Sequence, residues 1–309
     1  MVKYEDFQLD EHQIDAVKKM HQTQAVMEYI RANGVEPSDI SVYYTATEDE
    51  LERHRRAFYA QYAQNQPKPN KPLKFSSSGN QSIIAYITQG DADTDGDFDT
   101  YNFNLEYSYD GKNWTKLTGT KIDEWEYDFE PLDISNTFVY VRGDNPDGLT
   151  KSDGWYADYH LGFATSTEEP MFCEGNIMSL LGEQVNEIPC DYCFSQLFQG
   201  CTSLTTAPEL PATALTSSCY AYMFYGCTSL TTAPELPATT LADNCYGAMF
   251  EGCTNLNSVT CLATNISAND CTNSWLYGVS STGTFTTPAS TNWPTGDDGI
   301  PSGWTRVDA

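Results

Sequence analysis

The sequence predicts a multidomain protein with three successive parts: an N-terminal α-helical segment, an all-β immunoglobulin-like sandwich and a C-terminal leucine-rich-repeat solenoid. Three observations predict this organisation. Apolar residues of the first part recur at helical spacing, the middle part alternates short β-prone runs with turn residues, and the last part repeats every 26 residues. Charge divides the chain similarly, because residues 1–74 are near neutral, residues 75–169 carry 5 bases and 19 acids, and residues 170–309 carry 1 base and 12 acids.

The first part, residues 1–65, is predicted to hold two helices, at 5–33 and 47–64. Thr47 can cap the second helix, and three acids follow in its first turn, where the helix dipole favours anions. Two helices of this size bury little apolar surface alone. They are interpreted either as a hairpin packed on the next domain or as a docking and oligomerisation element. The stiff proline-rich linker at 66–72 favours docking.

The second part, residues 73–168, is predicted to be a sandwich of six or seven strands. Runs such as 82–88 and 137–142 are rich in Ile, Tyr, Phe and Val and are bounded by turn residues. Asp110-Gly111 is a hairpin signal between two such runs. This number of short strands in about 90 residues is typical of an immunoglobulin-like domain.

The third part, residues 169–309, contains the segment GCTSLTTAPELPAT at residues 200–213 and again at 226–239. Leucines and small apolar residues at fixed offsets are typical of leucine-rich repeats, whose units bury their apolar faces by stacking. Phe285, Trp293 and Trp304 follow the last repeat and are predicted to cover it as a C-terminal cap. The predicted core columns are Cys193, Cys219, Cys245 and Cys271; Cys201, Cys227 and Cys253; Phe198, Phe224, Phe250 and Leu276; and Leu210, Leu236 and Leu262.

The cysteines allow three interpretations. Buried thiols behave as small apolar groups, so the two cysteine columns are predicted to be structural core. A disulfide between columns, such as Cys219–Cys227, is the second interpretation. Cys190 and Cys193 form a single CxxC motif, but zinc or redox use would require a second half-site or a thioredoxin-like context, and the sequence shows neither.

The repeat sequence resembles a known family. CTSLTTAPELPATTLADNCYGAMFEGC at residues 227–253 together with its preceding copy, and the tail GIPSGWT, are similar to BspA-type leucine-rich-repeat proteins of Bacteroidales and of their tailed, crAss-like phages. The resemblance covers residues 173–309 and extends more weakly to Leu73-Lys74-Phe75 and to the run around Tyr107. It implies surface display, adhesion or receptor contact, and it implies no catalytic residue.

The resemblance leads to a functional prediction. Bacterial members usually begin with an export signal, and the first residues of this chain lack the apolar core of one. The prediction is a non-enzymatic, virion-associated structural protein, a phage head or tail fibre or decoration, that displays the repeats for host, glycan or protein binding. Its helices would dock on capsid or tail proteins and support a homo-oligomer. The alternative is a bacterial cell-surface adhesin.

Composition argues against other function classes. A net charge of −27 disfavours nucleic acid, because phosphate contacts require a basic surface. No apolar run approaches the roughly 18 residues of a membrane span. The four histidines have no accompanying Ser-His-Asp order or P-loop, so no catalytic residue is predicted.

One acidic loop resembles the start of a calcium-binding loop. Carboxylates alternate along it and a glycine, Gly96, occupies the sixth position, but Asn102 stands where a bidentate glutamate would complete the site. Calcium is therefore a possible cofactor, and a solvated acidic loop is the alternative. The candidate ligands are Asp91, Asp93, Asp95, Asp97 and Asp99.

Four tyrosines around the cysteine columns are candidate binding residues. Tyrosine offers a large contact area at low entropic cost, which suits glycan or protein recognition. The sequence alone does not separate those that face solvent from those in the core. They are Tyr220, Tyr222, Tyr225 and Tyr246.

Overall fold

The computed structural model describes residues 69–89, 103–122, 126–152 and 157–309. Pro69–Ala309 forms one compact unit, and its buried apolar side chains make one continuous cluster. The helices predicted within residues 1–65 lie outside the described residues.

The described residues are all-β, with fifteen strands, a single-turn 3₁₀ helix at Ile177–Leu180 and no α-helix. The strands are β1 (Leu73–Ser77), β2 (Ser82–Gln89), β3 (Leu105–Ser108), β4 (Thr115–Lys116), β5 (Gly119–Lys121), β6 (Glu126–Phe129), β7 (Leu132–Asp133), β8 (Phe138–Gly143), β9 (Thr150–Ser152), β10 (Ala157–Thr165), β11 (Met171–Glu174), β12 (Leu204–Thr206), β13 (Ser258–Thr260), β14 (Gly283–Thr287) and β15 (Trp304–Asp308).

Two sheets face each other in the first half of this unit. The first sheet has the order β12-β11-β1-β8-β3-β4, and the second has the order β5-β6-β2-β10-β9, with β7 also paired to β2. Apolar and polar side chains alternate along β1, so Leu73 and Phe75 point inward and Lys74 points outward. The rings of Phe75 and Phe163 lie 5.1 Å apart and join the two sheets.

The first sheet continues directly into the repeats. Strand β11 pairs antiparallel with β1 on one side and parallel with β12, the first repeat strand, on the other. From the second sheet, the Phe163 N–H donates to the Leu197 carbonyl at 2.8 Å. The ring of Phe163 also stacks on that of Phe198 at 5.6 Å. Both sheets therefore share their core with the first repeat.

The 26-residue units of residues 190–278, here called the repeat stack, are held together mainly through turn segments. In each segment, alternate N–H groups donate to the next unit, and the intervening ones donate to the carbonyl three residues back. This pattern satisfies the backbone without strands. Bonds between units include Phe194 N–H to Cys219 C=O at 2.9 Å, Tyr220 N–H to Cys245 C=O at 3.1 Å, and Tyr246 N–H to Cys271 C=O at 2.9 Å.

A glycine column ends each turn segment. Gly200, Gly226, Gly252 and Gly278 have φ values of 73°, 72°, 75° and 73°. This left-handed conformation is strained for residues that carry a Cβ. Glycine recurs at this position in every unit because the chain turns there with a positive φ angle.

The predicted fold class is wrong. The described residues hold no α-helix, the N-terminal helical segment has no support, and the sheets do not form a leucine-rich-repeat solenoid. A solenoid sheet takes one strand from each repeat, whereas β12 is followed by isolated bridges such as Thr232↔Ser258. Proline is the physical reason, because it lacks the N–H that a continuous ladder requires. Pro208 and Pro234 follow the core leucines at this place in successive repeats.

A change of register corrects one predicted column. Thr232 pairs with Ser258, 26 residues on, whereas Leu236 pairs with Cys261, only 25 residues on. One residue is therefore missing in this part of the last repeat, so Cys261 fills the buried position and Leu262 is partly exposed. The spacing returns to 26 at Cys271.

The C-terminal tail covers the last repeat. Strands β13, β14 and β15 form a parallel sheet. The indole of Trp293 stacks on that of Trp275 at 5.3 Å and 8°, and its N–H donates to the Thr287 hydroxyl at 2.9 Å. The cap therefore shields the apolar end of the stack from water.

Candidate binding surface

The two cysteine columns lie in the core. All ten cysteines of the chain are free, so the Cys219–Cys227 disulfide is absent. Burial raises the pKa of both Cys201 and Cys219 to about 12. The Cys227 thiol lies 3.1 Å from the Phe198 carbonyl, to which it can donate a hydrogen bond. The buried column members are Cys193, Cys201, Cys219, Cys227, Cys245, Cys253 and Cys271.

Two ladders of stacked rings run beside the thiols. Phe198, Phe224 and Phe250 stack at 5.6 and 5.5 Å with interplanar angles of 4°. In the second ladder, Tyr220 and Tyr246 stack at 6.2 Å.

The second ladder corrects the tyrosine prediction. Tyr220 and Tyr246 are each only 1% exposed and cannot contact a ligand. The signal that identifies them is periodicity, because Phe194 occupies the same position one repeat before Tyr220.

The other two tyrosines face outward. Tyr222 is 42% exposed, and its ring lies 6.0 Å from that of Tyr225. Tyr277, two repeats after Tyr225, is 54% exposed. We call Tyr222, Tyr225 and Tyr277 the tyrosine face. Sequence reasoning missed Tyr277.

Sequence reasoning also missed a concave surface beside the first repeat. Two neighbouring cavities of about 530 and 440 Å³ both have Ala207 and Glu209 in their lining, and we treat them together as one surface. We call it the proline groove. It is lined by Lys71, Pro72, Lys74, Tyr140, Glu174, Gly175, Thr206, Ala207, Pro208, Glu209, Leu210, Pro211, Pro234, Glu235 and Pro237.

Strand alternation explains one wall of the proline groove. Lys74 of β1, Tyr140 of β8 and Glu174 of β11 are partners across the first sheet, so their side chains share its outer face. The turns of two repeats supply the other wall. No spacing in the sequence signals this groove, because the sheet and the repeats meet only in the folded chain.

The proline groove is mainly apolar, and its charged lining residues are Lys71, Lys74, Glu174, Glu209 and Glu235. The Lys74 ammonium lies 3.2 Å from the Glu174 carboxylate, which offsets both charges. Glu209 and Glu235 are exposed along the repeat wall. Within residues 170–309 the single base is Arg306, which donates to the Pro288 carbonyl at 2.8 Å. The three carboxylates outnumber the two ammonium groups of Lys71 and Lys74, so the groove favours neutral or cationic partners by a small margin.

The predicted calcium ligands lie outside the described residues. This applies to the whole set Asp91, Asp93, Asp95, Asp97 and Asp99. Within the part of the chain that is described, no group of three or more His, Cys, Asp or Glu side chains is placed to hold a metal ion.

His160 is a buried titratable group in the second sheet. It is 6% exposed, and its Nε2 lies 2.8 Å from the Thr88 hydroxyl. Burial lowers its pKa to about 4. The imidazole is therefore neutral at pH 7 and belongs to the sandwich core.

Cys190 and Cys193 lie where the first repeat begins. Their thiols form a hydrogen bond with each other. This contact lowers the pKa of Cys190, whereas burial raises the pKa of Cys193 well above its usual value.

Comparisons with known proteins gave no match: no protein-family model, curated protein or solved structure matches this chain. The described residues contain no helix that is long and apolar enough to cross a membrane.

Proposed function

We propose that this chain is a non-enzymatic binding protein that contacts a host-surface glycan through the proline groove. The groove itself is the observation that carries the proposal, since it is concave, joins two structural regions and combines apolar walls with a few polar groups. Ligand sites in proteins have this general character.

Rigidity supports the proposal. The prolines of the repeat wall have fixed φ angles. The repeats that carry these prolines are also joined by the phenylalanine ladder, whose rings stack with little tilt, and the opposite wall is a paired sheet. A rigid surface loses little conformational entropy when a ligand binds.

The charge of the proline groove supports a neutral sugar chain. Glu209 and Glu235 offer carboxylate oxygens that accept hydrogen bonds from hydroxyl groups. Tyr140 and the prolines offer apolar faces. A cationic protein segment is the competing partner, and the experiment below separates the two.

The setting of this binding is proposed from the family resemblance. Phage and bacterial surface proteins with similar repeats are display proteins, so the chain is proposed as a virion fibre or decoration protein. Residues 1–65 would dock on capsid or tail proteins and support a homo-oligomer. A bacterial cell-surface adhesin is the alternative. Mass spectrometry of purified virions and of bacterial outer-membrane fractions distinguishes these locations.

The groove is tested by filling it. Thr206 is exposed within the groove, and Thr232 is its exposed counterpart one repeat later, outside the lining. The purified full-length chain is applied to a neutral glycan array and to a panel of cationic peptides. We expect glycan binding, an at least about tenfold weaker affinity for Thr206→Trp, and little change for Thr232→Trp.

Two results contradict the proposal. Equal affinities of the two tryptophan variants would place binding elsewhere on the protein. Binding to cationic peptides without glycan binding would replace the sugar with a protein partner.

The double variant Tyr222→Ser and Tyr277→Ser tests the tyrosine face in the same assay, with Tyr109→Ser as an exposed tyrosine control outside the repeats.

A further inference from the structure

We propose that Cys190 and Cys193 form a redox-active dithiol that closes to an intramolecular disulfide by exchange with a small-molecule disulfide. This inference is independent of the proposed glycan binding.

Exposure separates Cys190 from the other thiols. All ten cysteines lie in described parts of the chain, and Cys190 is the one that is only partly buried. Cys190 is therefore the cysteine with partial solvent exposure, whereas the other nine are enclosed by the core. Reactivity of a cysteine depends on such access together with thiolate character.

The neighbouring thiol is already in contact. Cys190 and Cys193 share a side-chain hydrogen bond. Between them, Tyr192 has a φ of 57°, so the chain turns back locally. Both sulfurs also lie close to the position of a Cβ at Gly148, at 2.3 and 3.6 Å, so the two thiols are neighbours, and proximity is the first requirement for a disulfide.

The turn at Gly148 packs directly against the thiols of this pair. A Cβ at Gly148 would lie 2.3 Å from the Cys190 sulfur and 3.6 Å from the Cys193 sulfur. The turn that contains Gly148 therefore contacts both thiols without placing a side chain between them. A side chain there would displace the Cys190 sulfur.

Electrostatics assign different roles to the two sulfurs. The hydrogen bond from Cys193 lowers the pKa of Cys190, and the carboxylates of Asp191 and Asp147 partly oppose this effect. Burial keeps Cys193 protonated. Because Cys190 is partly exposed and Cys193 is buried, we assign Cys190 as the attacking thiolate and Cys193 as the second thiol. The two carboxylates also disfavour anionic oxidants, so a neutral disulfide is the suitable probe.

The reaction balances in two exchanges. The Cys190 thiolate attacks one sulfur of the small disulfide, forms a mixed disulfide and releases the first small thiolate. Cys193 then loses its proton, attacks the Cys190 sulfur and releases the second small thiolate. Two protein thiols are oxidised, one small disulfide is reduced to two thiols, and these take up the two protons.

The test uses the folded full-length chain and bis(2-hydroxyethyl) disulfide. After incubation, remaining thiols are alkylated with iodoacetamide, and peptides are mapped by mass spectrometry without reduction. We expect a disulfide between Cys190 and Cys193 and no oxidation of the other eight cysteines. Cys193→Ser should retain the mixed disulfide on Cys190, and Cys190→Ser should not react.

Cys219→Ser is the matched control, because Cys219 follows Cys193 in the same buried column. It should leave the Cys190–Cys193 disulfide unchanged. The wild-type map decides the proposal even where a variant folds poorly. Absence of the disulfide in the folded wild-type chain, or its formation only after urea unfolding, would overturn the proposal.

Discussion

Neither the sandwich nor the repeat stack contains an α-helix among its described residues, yet the two regions are stabilised differently. In the sandwich, each strand contributes different side chains, and long antiparallel ladders such as β2–β10 pair the backbone. In the stack, the same side chain recurs at each level, and turns supply most of the backbone bonds. Each sandwich residue therefore has its own environment, whereas a stack residue is one member of a column whose interior members have equivalent neighbours.

The largest expected effect breaks a column in its middle. Phe224→Ala removes a ring that stacks on Phe198 at 5.6 Å and on Phe250 at 5.5 Å. We expect a loss of about 4 kcal/mol in the free energy of unfolding, since the cavity opens between two rigid neighbours. Urea denaturation measures this loss. Phe224→Leu, which keeps most of the volume, should cost about half as much, and similar small losses for both variants would show that the column can collapse.

The second-largest expected effect concerns His160 of the sandwich and the dependence of stability on pH. Burial lowers the pKa of His160 from 6.5 to about 4. Below pH 6.5 the His160 imidazole of the unfolded chain takes up a proton, whereas that of the folded chain stays neutral down to about pH 4. The free energy of unfolding is therefore highest above pH 6.5 and decreases as the pH falls to about 4. A shift of this size corresponds to about 3 kcal/mol.

The measurement compares the wild type with His160→Gln in urea between pH 7 and pH 4. Carboxylates titrate in both proteins, so the difference between the two curves isolates the imidazole. We expect the wild type to lose about 3 kcal/mol more than the variant over this interval. Parallel curves would mean that water reaches the ring.

The smallest expected effect concerns the glycine column. Gly226→Ala places a Cβ on a residue with φ of 72°, although the nearest atom would be the Gly200 Cα at a comfortable 3.9 Å. Backbone strain alone should therefore cost about 1 kcal/mol. Gly226→Asn, which tolerates this conformation better, should cost less in the same urea titration. A larger loss would indicate steric crowding between repeats.

The differences between the sandwich and the repeat stack explain which features of the fold could be predicted from the sequence. A run rich in Ile and Tyr, bounded by turn residues, predicted a strand at residues 82–88, and the structure has it at Ser82–Gln89. Columns identified the buried cysteines and the phenylalanine ladder. Periodicity did not specify the backbone, however, because the same spacing is compatible with strands or with turns, and the prolines select turns.

The candidate surface was less predictable than the core. Tyr222 and Tyr225 are outside, but Tyr220 and Tyr246 belong to a ring ladder that becomes apparent only when Phe194 is placed in the same column. The proline groove depends on the contact between β11 and β12, which joins segments that the sequence assigns to different parts. A surface shared by two regions has no pattern within either one.

The missing residue before Cys261 also determines how this stack can lengthen. The repeats before and after residue 226 carry the same residues in their columns. A further copy of 26 residues inserted at this point would therefore stack against compatible side chains on both of its faces. A copy that includes the segment from Leu236 to Cys261 would carry its 25-residue spacing into a level of the stack where neighbouring units are 26 residues apart. Duplication is therefore structurally neutral on the sandwich side of this irregularity, and the cap beyond it remains unchanged whatever number of units precedes it.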